Sequence, residues 1–135
     1  MLGIFQPLQA GRNVLRVRAG VPFILSGEVI TTDGTLTTIG ELQLPADTVV
    51  RLIILLAARR TDAAGSAWFM RSVTTKSVAG VAAINSNVAV VPDLTDGVIT
   101  ATHNAAASGG SYLSRITGLA GQTIDWAITM YGIAT

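Results

Sequence analysis

The sequence predicts an all-β fold: an antiparallel β-sandwich of about eight strands, jelly-roll-like, with an extended N-terminal arm. Three observations predict it. Apolar and polar residues alternate along much of the chain, the period of a strand with one buried face. Clusters of Gly, Asn, Asp, Ser and Pro interrupt that alternation at intervals suited to short strands. No segment sustains the period of an amphipathic helix. With 135 residues the chain has the length of one domain, which we divide into an N-terminal arm or edge segment, residues 1–20, and a single sandwich domain, residues 21–135.

The elements follow in order. Gly3, Pro7, Gly11 and Gly20 break any regular pattern at the start, and Arg12, Arg16 and Arg18 supply a third of the nine basic residues. That composition suits an arm, or an edge strand over 13–18 whose arginines face water and discourage edge pairing. Asp33-Gly34, inside the run 29–39, is a two-residue hairpin signature, because both central positions need positive φ. Residues 48–60 are apolar on both faces for most of their length and read as the central strand. A helix over 49–64 competes there, since Leu and Ala favour helix, but β-branched residues open the run and a turn cluster closes it. Residues 68–76 then return to form a long hairpin. Asn85-Ser86-Asn87 separates two shorter apolar runs, 78–84 and 88–91. Residues 98–104 alternate as a strand between two loops, 92–97 and 105–110. Residues 112–117 and 123–131 form the last two strands, joined by Gly118-Leu119-Ala120-Gly121-Gln122 and expected to pair as a hairpin. In the final strand Ile124, Trp126, Ile128 and Met130 share one face. Trp126, Ile124, Ile128, Ile54 and Phe69 are the expected core anchors.

Half of the chain is hydrophobic and only 13% is charged, about half the charge of an ordinary soluble domain. A surface so poor in charge is expected to be covered by other protein. The most apolar run, 49–58, contains Arg51 and is about half the length a membrane helix needs, so no membrane partner is expected. The opening residues lack the pattern of a secretory signal. A net charge of +1 gives no reason to expect nucleic acid. The chain has no cysteine, which excludes disulfides and thiol chemistry. Arginine makes up eight of the nine basic residues, a bias that suits subunit interfaces.

A catalytic constellation is not evident, and the sequence reads as non-enzymatic. His103 is the lone histidine and sits mid-strand, where a packed histidine bonded to a backbone carbonyl is the ordinary role. Gly110-Ser111 lacks the second glycine of a nucleophile elbow. Glu28 and Glu41 flank the Asp33-Gly34 turn and could approach one another as a carboxylate pair, although solvated strand positions are the simpler reading. Asp93 and Asp96 share a loop without the ligand spacing of a calcium site, so neither metal nor cofactor is expected. Gly109-Gly110 precedes a strand and is no phosphate loop. Trp68, Phe69, Tyr112, Trp126 and Tyr131 could build a platform for sugar rings or simply anchor the core.

Three pieces carry a resemblance. They are Ala57-Ala58-Arg59-Arg60-Thr61-Asp62, the returning Trp68-Phe69-Met70-Arg71, and the closing Ile116-Thr117-Gly118-Leu119-Ala120-Gly121-Gln122-Thr123-Ile124-Asp125-Trp126-Ala127-Ile128-Thr129. Together they resemble small β-sandwich modules of tailed-bacteriophage virion proteins, over about the C-terminal two thirds of the chain. The resemblance implies a structural protein of the virion that assembles as a homotrimer. With only a short arm and no shaft, the chain looks most like a capsid decoration, or cement, protein bound to the major capsid protein. Its arm, with Arg12, Arg16, Arg18, Phe5 and Leu15, would then make the capsid or subunit contact. The alternative from the same resemblance is a tail or head-fibre component that binds a host-surface glycan through its loop tips, favoured if aromatics in 62–68 or 105–112 are exposed.

Overall fold

A computed structural model describes residues 13–96 and 102–135, and residues 4–6 by their backbone alone. Among the described residues there are eleven strands and no helix: β1 (Ile4–Gln6), β2 (Val14–Arg16), β3 (Phe23–Thr31), β4 (Thr37–Gln43), β5 (Thr48–Arg60), β6 (Ser66–Val78), β7 (Val81–Ala89), β8 (Leu94–Thr95), β9 (Thr102–Ser108), β10 (Ser111–Thr117) and β11 (Ile124–Ala134). One sheet runs β1-β3-β11-β5-β6-β7, with β8 beside β6, and the other runs β2-β4-β10-β9. Among the named strands only β1 on β3 and β2 on β4 pair in parallel. The fold is the expected all-β, mostly antiparallel sandwich, with more strands than the eight expected.

Alternation decides what fills the space between the sheets. Ile124, Trp126, Ile128 and Met130 face inward from β11 and are buried, as are Phe23 and Leu25 of β3, Leu52, Ile54 and Leu56 of β5, and Phe69 of β6. The four-stranded sheet contributes Leu42, Tyr112 and Ile116. Trp126 is the largest fully buried side chain. Its indole N–H would be costly to leave unpaired and donates to Thr31 Oγ1 at 2.9 Å. All five expected anchors, Trp126, Ile124, Ile128, Ile54 and Phe69, lie in this core.

The connections differ from the sequence reading in physically instructive ways. Asp33-Gly34 closes no hairpin, because β3 and β4 belong to different sheets. Asp33 Oδ1 accepts the Thr35 amide at 2.8 Å, a local Asx turn that starts a crossover. Residues 118–122 also cross between sheets: β10 pairs with β4 and β9, whereas β11 pairs with β3 and β5. The Gln122 amide bonds Leu119 O at 3.1 Å, and Gly121 takes φ of 80° at the turn. The pairs β3-β11-β5 and β4-β10 follow a jelly-roll order, but β6 stays beside β5 as a hairpin in the same sheet.

Other boundaries moved for local reasons. β7 is continuous, and its hairpin with β6 turns at Ala79 and Gly80, with φ of 52° and 78°. Residues 105–108, expected as loop, continue β9 and pair with β10. The strand expected over 98–104 is seen only from Thr102, and residues 97–101 lie outside the described residues. β5 is central, yet only one of its faces is fully buried: Val49 is exposed and Ile53, Leu55 and Ala57 are half-buried. Its apolar outer face had made it look buried on both sides.

Of the two readings of the N-terminal segment, residues 13–18 follow the edge strand. β2 adds in parallel to β4, with Leu15 opposite Leu42. Leu15 and Val17 are buried in the core. Asn13 Nδ2 donates to Ser26 O at 2.6 Å, and Asn13 O accepts the Glu41 amide at 2.8 Å. This strap thus ties the two sheets together along one side.

Candidate functional site

Register places a set of side chains on the outer face of the seven-stranded sheet. Glu28 pairs with Ala127, Ala127 with Ala57, and Ala57 with Trp68, so the four form a row across β3, β11, β5 and β6. The next row is Ile30, Asp125, Arg59 and Ser66. Two alanines make a low floor between taller walls. Trp68 stands on one side, 53% exposed, Glu28 stands on the other, and Asp125 rises from the floor strand β11 one row along.

The resulting trough has a volume of about 370 Å³ and is lined by Glu28, Ala57, Arg59, Trp68, Asp125 and Ala127, among others. Glu28 and Asp125 also border an adjoining hollow beside Ile30. A smaller hollow of about 180 Å³ continues over Ala57 and Ala127 toward Leu55 and Thr129. Arg59 Nη2 lies 3.8 Å from Asp125 Oδ2, with the arginine side chain 71% exposed, so the pair holds its geometry loosely. Beyond the trough the same face turns apolar, with Ile24, Tyr131, Ile133 and Val49 exposed.

One end of the trough is braced. Arg60 Nε and Nη2 donate to Asp62 Oδ1 and Oδ2 at 2.9 and 3.1 Å. That bidentate contact holds the Asp62 carboxyl down at about 2. Ser66 is fixed from the other side, its amide donating to Asp96 Oδ2 at 2.9 Å.

The remaining candidates fall elsewhere. Glu41 is buried on the other sheet and accepts the Ser111 hydroxyl at 2.9 Å. Glu28 and Glu41 are thus on separate sheets, and it is Glu28 and Asp125 that share a cleft. His103 Nε2 lies 2.9 Å from Ser114 Oγ, which is also 2.9 Å from the Tyr112 hydroxyl. The histidine is packed as expected, with a hydroxyl rather than a carbonyl as partner. Burial, with Arg71 nearby, pushes the imidazole down to about 4. Ser114 is completely buried, so this Ser–His contact has no access to a substrate. Arg71 donates to Asp93, which ties β6 to the loop after β7. Among the described residues no cluster of His, Cys, Asp or Glu could hold a metal, and no helix is long and apolar enough to cross a membrane.

Of the residues expected at a capsid or subunit interface, Arg16 and Arg18 are exposed. Leu15 is a correction: it faces its own core, because strand parity turns it toward Leu42. Arg12 lies outside the described residues, and Phe5 is described by its backbone alone. Sequence reasoning missed Arg59 and Asp125 as site residues and left Trp68 open between core and platform. Parity could have placed them, since Asp125 must face away from buried Trp126, and Trp68 away from buried Phe69.

Fold and site together define a β-sandwich module with an open, aromatic-bearing sheet face. No family model matches the chain, and no curated protein matches it. Two tailspike proteins of Acinetobacter baumannii phages are similar in structure. That of bacteriophage Fri1, described as a capsular polysaccharide depolymerase, is 14% identical with a TM-score of 0.41 over 82% of this chain and 17% of its own. That of phage AM24 is 11% identical with a TM-score of 0.37 over 81% of this chain and 26% of its own. The chain therefore spans well under two thirds of either tailspike. The expectation of a non-enzymatic chain is withdrawn against that description of the Fri1 protein as a depolymerase, an activity stated of that protein alone.

Proposed function

We propose that the chain is a structural module of a tailed-phage tail or fibre that binds a host-surface glycan on the outer face of its seven-stranded sheet. The observation that carries this reading is Trp68, 53% exposed above a floor of alanines. A large aromatic left outside a core that already holds Trp126 marks a contact surface. The platform lies on a sheet face rather than at the loop tips, since Tyr112 is fully buried. The likeness of residues 116–129 to virion modules supports the phage setting.

The same reading includes a homotrimer, with sister subunits covering the apolar stretch around Ile24, Tyr131 and Ile133. Light scattering on the purified chain checks it, with three times the 14.0 kDa chain mass expected. A capsid decoration role had rested on a docking arm. Leu15 and Val17 are buried in the sandwich, which favours the tail or fibre reading over a docking arm. Antibody labelling of purified phage particles should mark the tail. Labelling of the head alone, or of no particle, would refute the proposal.

A further inference from the structure

We infer that the trough between Glu28 and Trp68 is a subsite for an uncharged pyranose of a polysaccharide, and that it rejects uronic acids. The inference rests on the tail or fibre reading and adds the place and the chemistry of the sugar.

Shape comes first. Ala57 and Ala127 carry the smallest side chains short of glycine, and they lie between Trp68 and Glu28. Three strand spacings of about 4.8 Å separate the two walls at the backbone, leaving room for a ring standing on the alanine floor. The indole can meet the C–H face of that ring, a contact that uses an apolar surface already in water. At about 370 Å³ the trough falls in the range of roughly 300–1,000 Å³ usual for small-molecule sites. Its continuation toward Leu55 and Thr129 runs along the strands, so a chain of sugars has somewhere to extend.

Charge supplies the class. Glu28 and Asp125 are acceptor-only groups when ionised and suit the paired hydroxyls of a sugar edge. Arg59 is the single cation among the lining residues and leans toward Asp125. Two carboxylates against one guanidinium leave the trough with a net negative charge. A uronate would therefore meet repulsion where a neutral ring finds acceptors. Trp68 also has a built-in internal reference, since the chain's other tryptophan, Trp126, is fully buried.

The test titrates the full chain with maltohexaose, mannohexaose, N-acetylchitohexaose and hexagalacturonate, reading tryptophan emission and heat. At least one neutral oligosaccharide should bind saturably, with a dissociation constant on the order of 1 mM. Hexagalacturonate should bind at least about tenfold more weakly. By calorimetry Trp68→Ala should abolish the binding, and Glu28→Gln should weaken it about tenfold; both sites are exposed, so folding should survive. Galacturonate binding as tightly as the neutral sugars would overturn the inference. So would undiminished binding by Trp68→Ala, or no binding of any neutral hexasaccharide. Tail labelling of phage particles separates these failures from failure of the broader reading, which it tests without any sugar.

Discussion

Leu15→Ala measures whether the strap of residues 13–18 is part of the sandwich. Leu15 is 6% exposed and lies opposite Leu42, which is fully buried. Truncation removes a buried isobutyl group and leaves a cavity in the core beside Leu42. Such changes cost about 2–5 kcal/mol. At an edge strand, where partial collapse is easier, about 3 kcal/mol is the reasonable expectation. In a chain of this size that lowers the melting temperature by roughly 10 °C. Urea unfolding followed by tryptophan emission reads the loss, since Trp126 is buried only in the folded core. The midpoint should fall with little change in slope, which marks lost stability rather than an altered denatured state. Arg16→Ala is the control, an exposed change on the same strand, and should stay within about 0.5 kcal/mol of the parent. If Leu15→Ala matched Arg16→Ala, the segment would be a loose arm and its packing here would be refuted.

Three further predictions follow from the core and the turns. Thr31→Val removes the acceptor of the Trp126 indole N–H and should cost about 1–3 kcal/mol by urea midpoint, with near-ultraviolet dichroism retained. Ala79→Asn should stabilise by about 0.5–1 kcal/mol in thermal melts, because Ala79 holds φ of 52° beside Gly80 and asparagine tolerates that conformation better. His103 is held neutral, its value of about 4 lying well below the roughly 6.5 of an ordinary imidazole. The unfolded chain therefore binds the extra proton first on acidification. Stability from this group is full above about pH 6.5 and is lost as pH falls toward about 4, by up to roughly 3 kcal/mol. Urea midpoints measured across that window should show the loss in the parent and a flatter profile in His103→Gln.

How much the sequence disclosed depended on range. β11 was legible because its alternation is uninterrupted and Trp126 has one sensible place, inside. The β5–β6 hairpin was legible because its strands are neighbours in sequence and in the sheet. Sheet membership was not legible. Asp33-Gly34 and Gly121 look like hairpin turns locally, yet the partners of β3 and β11 are set by which distant edges stand open. The turn at Ala79-Gly80 passed unnoticed because alanine does not announce positive φ. Leu15 read as an interface residue because low charge was attributed to outside partners, when part of that apolar surface was folded inward. The trough was hidden for a related reason: Glu28, Ala127, Ala57 and Trp68 come from four strands and meet only through register.

β11 lies between β3 and β5 and pairs with both along its length, yet the ribosome makes it after either. Throughout that delay β3 and β5 carry bare edges, and the cavity that Trp126 will fill stays open. The β5–β6–β7 meander can form early from adjacent strands, but core completion waits on one late insertion. A translation product halted before Ile124 would accordingly be an adhesive fragment, recruiting strands from other chains, and not a smaller version of the folded protein.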